Sequence, residues 1–86
     1  MEISLSSAIY LTISACNGII LDCVEGKESN LDIIYNTLNS IKEVIEKFKS
    51  CEQDEDIISA IDLISASYRR AVDAVEQRFG SRVSLN

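Results

Sequence analysis

The sequence predicts an all-α fold, an antiparallel three-helix bundle that homodimerisation can complete. The 86-residue chain has no proline and only three glycines, so long helices meet few breakers. Three segments carry apolar residues at helical spacing, and two short polar stretches separate them. We expect one domain over residues 1–86, with helices at about 6–25, 30–50 and 55–79 and a tail at 81–86.

The first segment fits two structures. As a helix, it gathers most of its apolar residues on one face, namely Leu5, Ile9, Ile13, Cys16, Ile19, Ile20, Cys23 and Val24. Ser6 or Ser7 can then cap its start, and Gly26 can end it. The alternative is an N-terminal β-hairpin followed by a helical hairpin, because Asn17 and Gly18 form a strong turn signal between alternating apolar residues. The helix is favoured because its length matches the other two segments.

The second segment carries an unbroken heptad stripe of apolar residues. They follow one another at intervals of three and four: Leu31, Ile34, Leu38, Ile41, Ile45 and Phe48. Ser29 with Asp32 is a variant of the capping box and marks the helix start. The stripe therefore predicts a helix that buries one face along its whole length.

The third segment follows an acidic link and ends at a glycine. Asp54, Glu55 and Asp56 lie where a helix N-terminus favours negative charge, so helix capping is their first expected role. The apolar line then runs through Ile57, Ile61, Ile64, Tyr68, Ala71, Val75 and Phe79. Gly80 stands directly after the helix, where a positive φ is common.

Charge and residue content exclude several classes of function. The chain has 14 acidic and 8 basic residues and a net charge of −6, which disfavours contact with nucleic-acid phosphates. It has no histidine and no CxxC pair, so imidazole catalysis and a zinc site are not expected. We expect no enzymatic activity, no cofactor and no bound metal. A nucleic-acid-binding regulator remains an alternative, although none of the three segments resembles the recognition helix that such a regulator needs.

Cysteines and targeting signals bear on the compartment. Cys16 and Cys23 are seven residues apart, about 10 Å along a helix, which is too far for a disulfide. Three unpaired thiols indicate the reducing cytoplasm. Residues 3–21 carry no charge, but serines, Thr12 and Asn17 interrupt them and Glu2 stands where a signal peptide is positive. We expect a buried core element there and no membrane contact, with a membrane-associated protein anchored by residues 3–21 as the alternative.

One cationic cluster has two interpretations. Arg69, Arg70 and Arg78 all lie in the third segment and could bind an anion. The favoured interpretation pairs these three arginines with acidic residues of the same helix, namely Asp62, Asp73 and Glu76.

The function that remains is a small acidic module for protein–protein interaction, acting as an adaptor, regulator, immunity protein or chaperone. The expected partners are a second copy of the chain and a basic protein. Candidate partner-binding residues are Leu11, Leu21, Tyr35 and Leu63 for apolar contact, and Asp54, Glu55 and Asp56 for charge. Small residues of the first helix would let another helix approach it closely: Ala8, Ala15 and Gly18.

Overall fold

The prediction of an all-α bundle is confirmed. The computed structural model describes residues 4–26 and 31–80, which form three helices: α1 at Leu5–Glu25, α2 at Leu31–Lys49 and α3 at Glu55–Phe79. Each described helix end lies within one residue of its predicted position. The β-hairpin alternative is wrong, because α1 passes through Asn17 and Gly18 without a break and the described residues contain no strand. The predicted tail at 81–86 lies outside the described residues.

Helix α1 begins and ends at local capping contacts. The cap is Ser4 rather than the predicted Ser6 or Ser7: its Oγ accepts a hydrogen bond from the backbone N–H of Ser7 at 3.2 Å. Those later serines lie inside the first helical turn, where extended cap geometry is not available. At the other end Gly26 has φ 69° and ψ 19°, and its N–H bonds to the Asp22 carbonyl, as the sequence predicts for a glycine stop.

Helix α3 is capped by the acidic link. The Asp54 carboxylate accepts a hydrogen bond from the Ile57 N–H at 2.9 Å, and Glu55 and Asp56 lie in the first turn. Gly80 ends the helix with φ 87°, and its N–H bonds to the Glu76 carbonyl at 2.7 Å. The predicted capping box of α2 depends on Ser29, which lies outside the described residues.

The core lies where the three helices meet. Its buried cluster combines large aliphatic and small side chains: Cys16, Ile19, Ile34, Leu38, Ile41, Ile45, Ile64, Ala71 and Val75. The heptad stripe of α2 supplies four of the large members, as predicted: Ile34, Leu38, Ile41 and Ile45. The buried line of α3 runs through Ala60, Ile64, Ser67, Ala71 and Val75. Ile57, Ile61 and Tyr68, which the sequence placed on this line, are only half-buried at its edge.

The small buried residues let α1 lie against α3. Along its length α1 approaches α3 more closely than it approaches α2. Cys16, Ala60 and Ala71 are fully buried, and none of them carries a side chain long enough to hold two helices apart. Thr12 of α1 is also buried, on the side that meets α2, and its hydroxyl donates to the Ala8 carbonyl at 2.7 Å. Thr12, a polar residue that interrupts the apolar residues of the first segment, is therefore part of the buried side of α1.

Gly18 has no steric role within the described chain. A Cβ atom added there meets no atom within 4 Å, and the residue lies in the middle of α1. We expect Gly18→Ala to raise the free energy of unfolding by about 0.8–1.0 kcal/mol, because glycine is a poor helix former. Urea denaturation at fixed protein concentration measures the change.

Gly26 provides the matched control for this substitution. Its φ of 69° is left-handed, so Gly26→Ala should lower the free energy of unfolding by about 1 kcal/mol although the added Cβ also meets open space. The two glycine-to-alanine substitutions are thus expected to change the free energy of unfolding in opposite directions. Equal signs would contradict the conformational explanation.

Candidate interaction surface

The outward face of α1 exposes large apolar side chains. The exposed fractions are 71% for Tyr10, 56% for Leu11, 57% for Leu21 and 76% for Val24. Between them on the same side lie the exposed residues Ser14 and Asn17. We call these six residues the outer α1 face. No charged residue occurs between Leu5 and Leu21, so the helix presents a neutral apolar surface on a molecule of net charge −6.

Exposure of this face corrects the expectation that residues 3–21 form a buried core element. Helix α1 is long and apolar enough to cross a membrane by length and composition alone. Only 17% of an apolar 18-residue stretch of α1 is buried in the bundle. Three residues of α1 are buried, namely Thr12, Cys16 and Ile19. The bundle therefore shields one narrow side of an apolar helix and leaves the opposite side exposed.

The neutral surface continues from α1 onto α2. A shallow groove of about 190 Å³ separates these helices, and uncharged side chains line it: Leu11, Thr12, Ala15, Thr37, Ser40, Ile41 and Val44. Helix α1 has its smallest interface in the bundle with α2. Leu11 thus borders both the outer α1 face and this groove, which extends the uncharged area beyond one helix.

The other predicted partner-binding residues lie apart from this face or have a structural role. Tyr35 is half-buried and packs against the core, so little of its ring is open to a partner. Leu63 is 54% exposed on α3. Asp54 caps α3, and Glu55 and Asp56 are exposed in its first turn. Among the described residues no group of three or more His, Cys, Asp and Glu side chains is placed to hold a metal ion.

The arginine cluster of the sequence is divided among three environments. Arg78 reaches across to the end of α1, where its guanidinium donates to the Asp22 carbonyl at 3.0 Å and to the Gly26 carbonyl at 3.5 Å. Arg70 lies near Cys16, on the side of α3 that meets α1. Arg69 lies on the other side, in a groove between α3 and α2. The three guanidinium groups therefore do not form one anion site.

The favoured pairing of these arginines with acidic residues of α3 is also wrong for the described chain. No ion pair there joins them to Asp62, Asp73 or Glu76, and the ion pair that is described joins Lys49 and Glu46 at 3.9 Å. Arg78 instead binds carbonyl oxygens at the C-terminal end of α1. The Asp22 carbonyl already accepts the Gly26 N–H, and the guanidinium adds a second donor, which a carbonyl oxygen can accept. A positive charge is also favourable at the C-terminal end of a helix dipole. This contact holds the C-terminal ends of α1 and α3 together.

The cysteine thiols are free and differ in environment. Burial raises the pKa of the Cys16 thiol, although the charge of Arg70 opposes the shift. Burial likewise raises the pKa of the Cys23 thiol, against the nearby charge of Arg78. Raised pKa values leave both groups as neutral thiols, which are poor nucleophiles. Cys51 is exposed beside the acidic link, where its Sγ bonds to the Lys47 carbonyl at 3.2 Å.

Two parts of the surface were missed by sequence reasoning. Tyr10 and Val24 are the most exposed large apolar residues of α1, yet only Leu11 and Leu21 were predicted from that helix. The signal was present: residues 10, 14, 17, 21 and 24 repeat at intervals of four and three, which is a second heptad line on the same helix. The groove beside Arg69 was also missed, because it combines residues from two helices.

Comparison with protein-family models, with curated proteins and with solved structures finds no match to this chain.

Proposed function

We propose that this chain is a non-catalytic protein–protein interaction module that pairs with a second copy of itself through the outer α1 face. The supporting observation is a neutral, apolar helix face exposed on an otherwise charged molecule. Contiguous exposed apolar surface of this kind is typical of interaction sites. The cores of protein interfaces are depleted in charged residues, which is also the composition of this face.

The charge distribution permits an identical partner at this position. Each copy carries a net charge of −6, so the repulsion between two copies is smallest where their contact surfaces are free of acidic residues. The outer α1 face meets that condition from Tyr10 to Leu21, and acidic residues, Asp22 and Glu25, stand beside it only in the last turn of α1. A two-fold symmetric pair also uses the same patch on both copies, so one neutral apolar patch is sufficient.

Asn17 gives this pairing a defined centre. It is the middle member of the line formed by Tyr10, Ser14, Asn17, Leu21 and Val24, which extends about 21 Å at 1.5 Å per residue. A two-fold axis through the centre of the line brings Asn17 against its own copy. The asparagine amide both donates and accepts hydrogen bonds, so such a pair satisfies itself. We expect a buried asparagine pair to restrict the register of the two helices at a cost in affinity, as one core asparagine does in parallel coiled coils.

Substitution of one leucine on this face tests the proposal. We expect the mass of the wild-type protein, measured by light scattering over a concentration series, to rise from the 9.5 kDa of one chain towards twice that value. Leu21→Glu should hold the mass at one chain, because it would bury an unpaired carboxylate on each copy. Leu21 is 57% exposed, so the helical circular dichroism signal should not change.

Ile58→Glu is the matched control. Ile58 is 47% exposed on α3, and it takes no part in the outer α1 face. This variant introduces the same charge and should associate like the wild type. The proposal is wrong if the wild type remains a monomer at every concentration, or if both variants lose association equally.

A membrane function is the second candidate, and the length and hydropathy of α1 favour it. Spanning a bilayer would require α1 to leave the bundle, which would expose Ile64, Ala71 and Val75 of the core. Pairing through the outer α1 face keeps that core closed. Flotation with neutral phosphatidylcholine vesicles distinguishes the two functions, because a protein that pairs with itself stays in the dense fraction and an anchored one rises with the lipid.

A further inference from the structure

A second surface feature lies between α2 and α3, away from the outer α1 face. It is a groove of about 290 Å³, to which each helix contributes four residues at positions i, i+3, i+4 and i+7: Lys42, Ile45, Glu46 and Lys49 from α2, and Ser65, Tyr68, Arg69 and Val72 from α3. Residues at these intervals share one side of a helix, so two regular helix faces form the walls. We call these eight residues the α2–α3 groove.

The groove carries positive charge on a negatively charged protein. Three of its side chains are cationic, namely Lys42, Lys49 and Arg69, and one is acidic, Glu46. Lys49 and Glu46 approach to 3.9 Å, but both side chains are more than half exposed and the contact is weak. Lys42 and Arg69 make no ion pair within the described chain. The net charge of the groove residues is therefore +2, whereas the net charge of the whole molecule is −6.

The floor of the groove is apolar. Ile45 is buried, and Tyr68 and Val72 are half-buried beside it. Burial raises the pKa of the Tyr68 phenol, and the neighbouring Cys16 adds to the shift, so the ring remains neutral at physiological pH. The groove extends over the eight residues from Lys42 to Lys49, which are seven steps or about 10 Å along the helix. This length and volume fit a small molecule and are too small to hold a helix.

We propose that the α2–α3 groove binds a small organic anion that carries an aromatic or short aliphatic group. The anionic end would lie between Lys42 and Arg69, where excess positive charge is unpaired. The apolar part would lie over Ile45 and would remove the half-buried Tyr68 and Val72 from water. The proposal does not depend on self-association, because none of the groove residues belongs to the outer α1 face.

Titration with phenyl phosphate, followed by amide chemical shifts in nuclear magnetic resonance, tests this site. We expect saturable shifts confined to residues 42–49 and 65–72. Inorganic phosphate supplies only the charge and phenol only the ring, so each should bind at least about five-fold more weakly than phenyl phosphate, a ratio equivalent to about 1 kcal/mol. Equal binding of phosphate and phenyl phosphate would contradict the role of the apolar floor.

Neighbouring arginines provide the matched variants. Arg69→Gln should weaken binding of phenyl phosphate about five-fold, whereas Arg70→Gln removes the same charge one residue away and should leave the affinity unchanged. Lys42→Gln and Lys47→Gln form a second such pair on α2, since Lys47 does not line the groove. Equal losses in both members of a pair would show attraction to net charge alone and would overturn the proposal, as would the absence of saturable shifts.

Discussion

Replacing Leu38 with alanine should lower the free energy of unfolding by about 3–5 kcal/mol, the range measured for leucines in close-packed cores. Leu38 has no exposed surface and is one of the largest fully buried side chains. It lies on the heptad stripe of α2 within the cluster that joins all three helices. A domain of this length has a total stability of about 4–13 kcal/mol, so the loss is a large fraction of it. Urea denaturation at fixed protein concentration measures the change.

Leu63→Ala is the control with the same chemical change. Leu63 is 54% exposed, so shortening its side chain leaves no cavity. Leu63→Ala should therefore lower the free energy of unfolding by no more than about 0.5 kcal/mol. If Leu38→Ala does not fold, Leu38→Met can be measured instead. It keeps the volume of the side chain and should lower the free energy of unfolding by less than about 1.5 kcal/mol. Similar losses for the two leucine-to-alanine variants would contradict the placement of the core.

The sequence predicts α2 well because one physical signal determines it. Its heptad stripe is wide enough to reach both neighbours, and the four central members are all buried. Polar residues occupy most of the opposite side, so only one orientation in the bundle removes the apolar side chains from water. The faces of α1 and α3 are harder to predict, because apolar residues occur on more than one side of each helix.

In α1 and α3, packing distance rather than hydrophobicity selects the buried side. The sequence placed Ile57, Ile61 and Tyr68 on the apolar line of α3. In the structure Ala60 and Ser67 are the buried residues instead. Small residues permit the closest approach of two helices, and close approach maximises contact between their backbones and side chains. A scale of residue hydrophobicity ranks serine and alanine below isoleucine, so it cannot detect this preference.

Contacts between helices explain what the sequence missed at the surface. The carbonyls that Arg78 binds at the end of α1 lie more than fifty residues away in sequence. Likewise, the α2–α3 groove unites Lys42 and Lys49 with Arg69 only after the helices are antiparallel. By contrast, the outer α1 face is a property of one helix, and its heptad line is present in the sequence, although the uncharged stretch was interpreted there as buried core. Residue periodicity therefore predicts single-helix surfaces better than shared ones.

The close contact of α1 with α3 predicts a severe effect from enlarging Ala71. Ala71 has no exposed surface and belongs to the same buried cluster as Cys16. We expect Ala71→Leu to lower the free energy of unfolding by about 1–3 kcal/mol or more, because the longer side chain must displace α1 or adopt a strained rotamer. Amide hydrogen exchange should then accelerate in α1, around Thr12 and Ile19, more than in α2. Displacement of α1 would also lengthen the contact of Arg78 with Asp22.

Ala66→Leu separates this packing effect from helix propensity. Ala66 is exposed on the same helix, and alanine and leucine are both strong helix formers, so the substitution should change stability by less than about 0.5 kcal/mol. Ala71→Leu with unchanged stability would mean that α1 and α3 lie farther apart than the buried small residues require. A loss spread evenly over all three helices in hydrogen exchange would also contradict the expected local displacement. An α1-specific loss, with Ala66→Leu neutral, would establish that the small residues of α3 hold the apolar helix in the bundle.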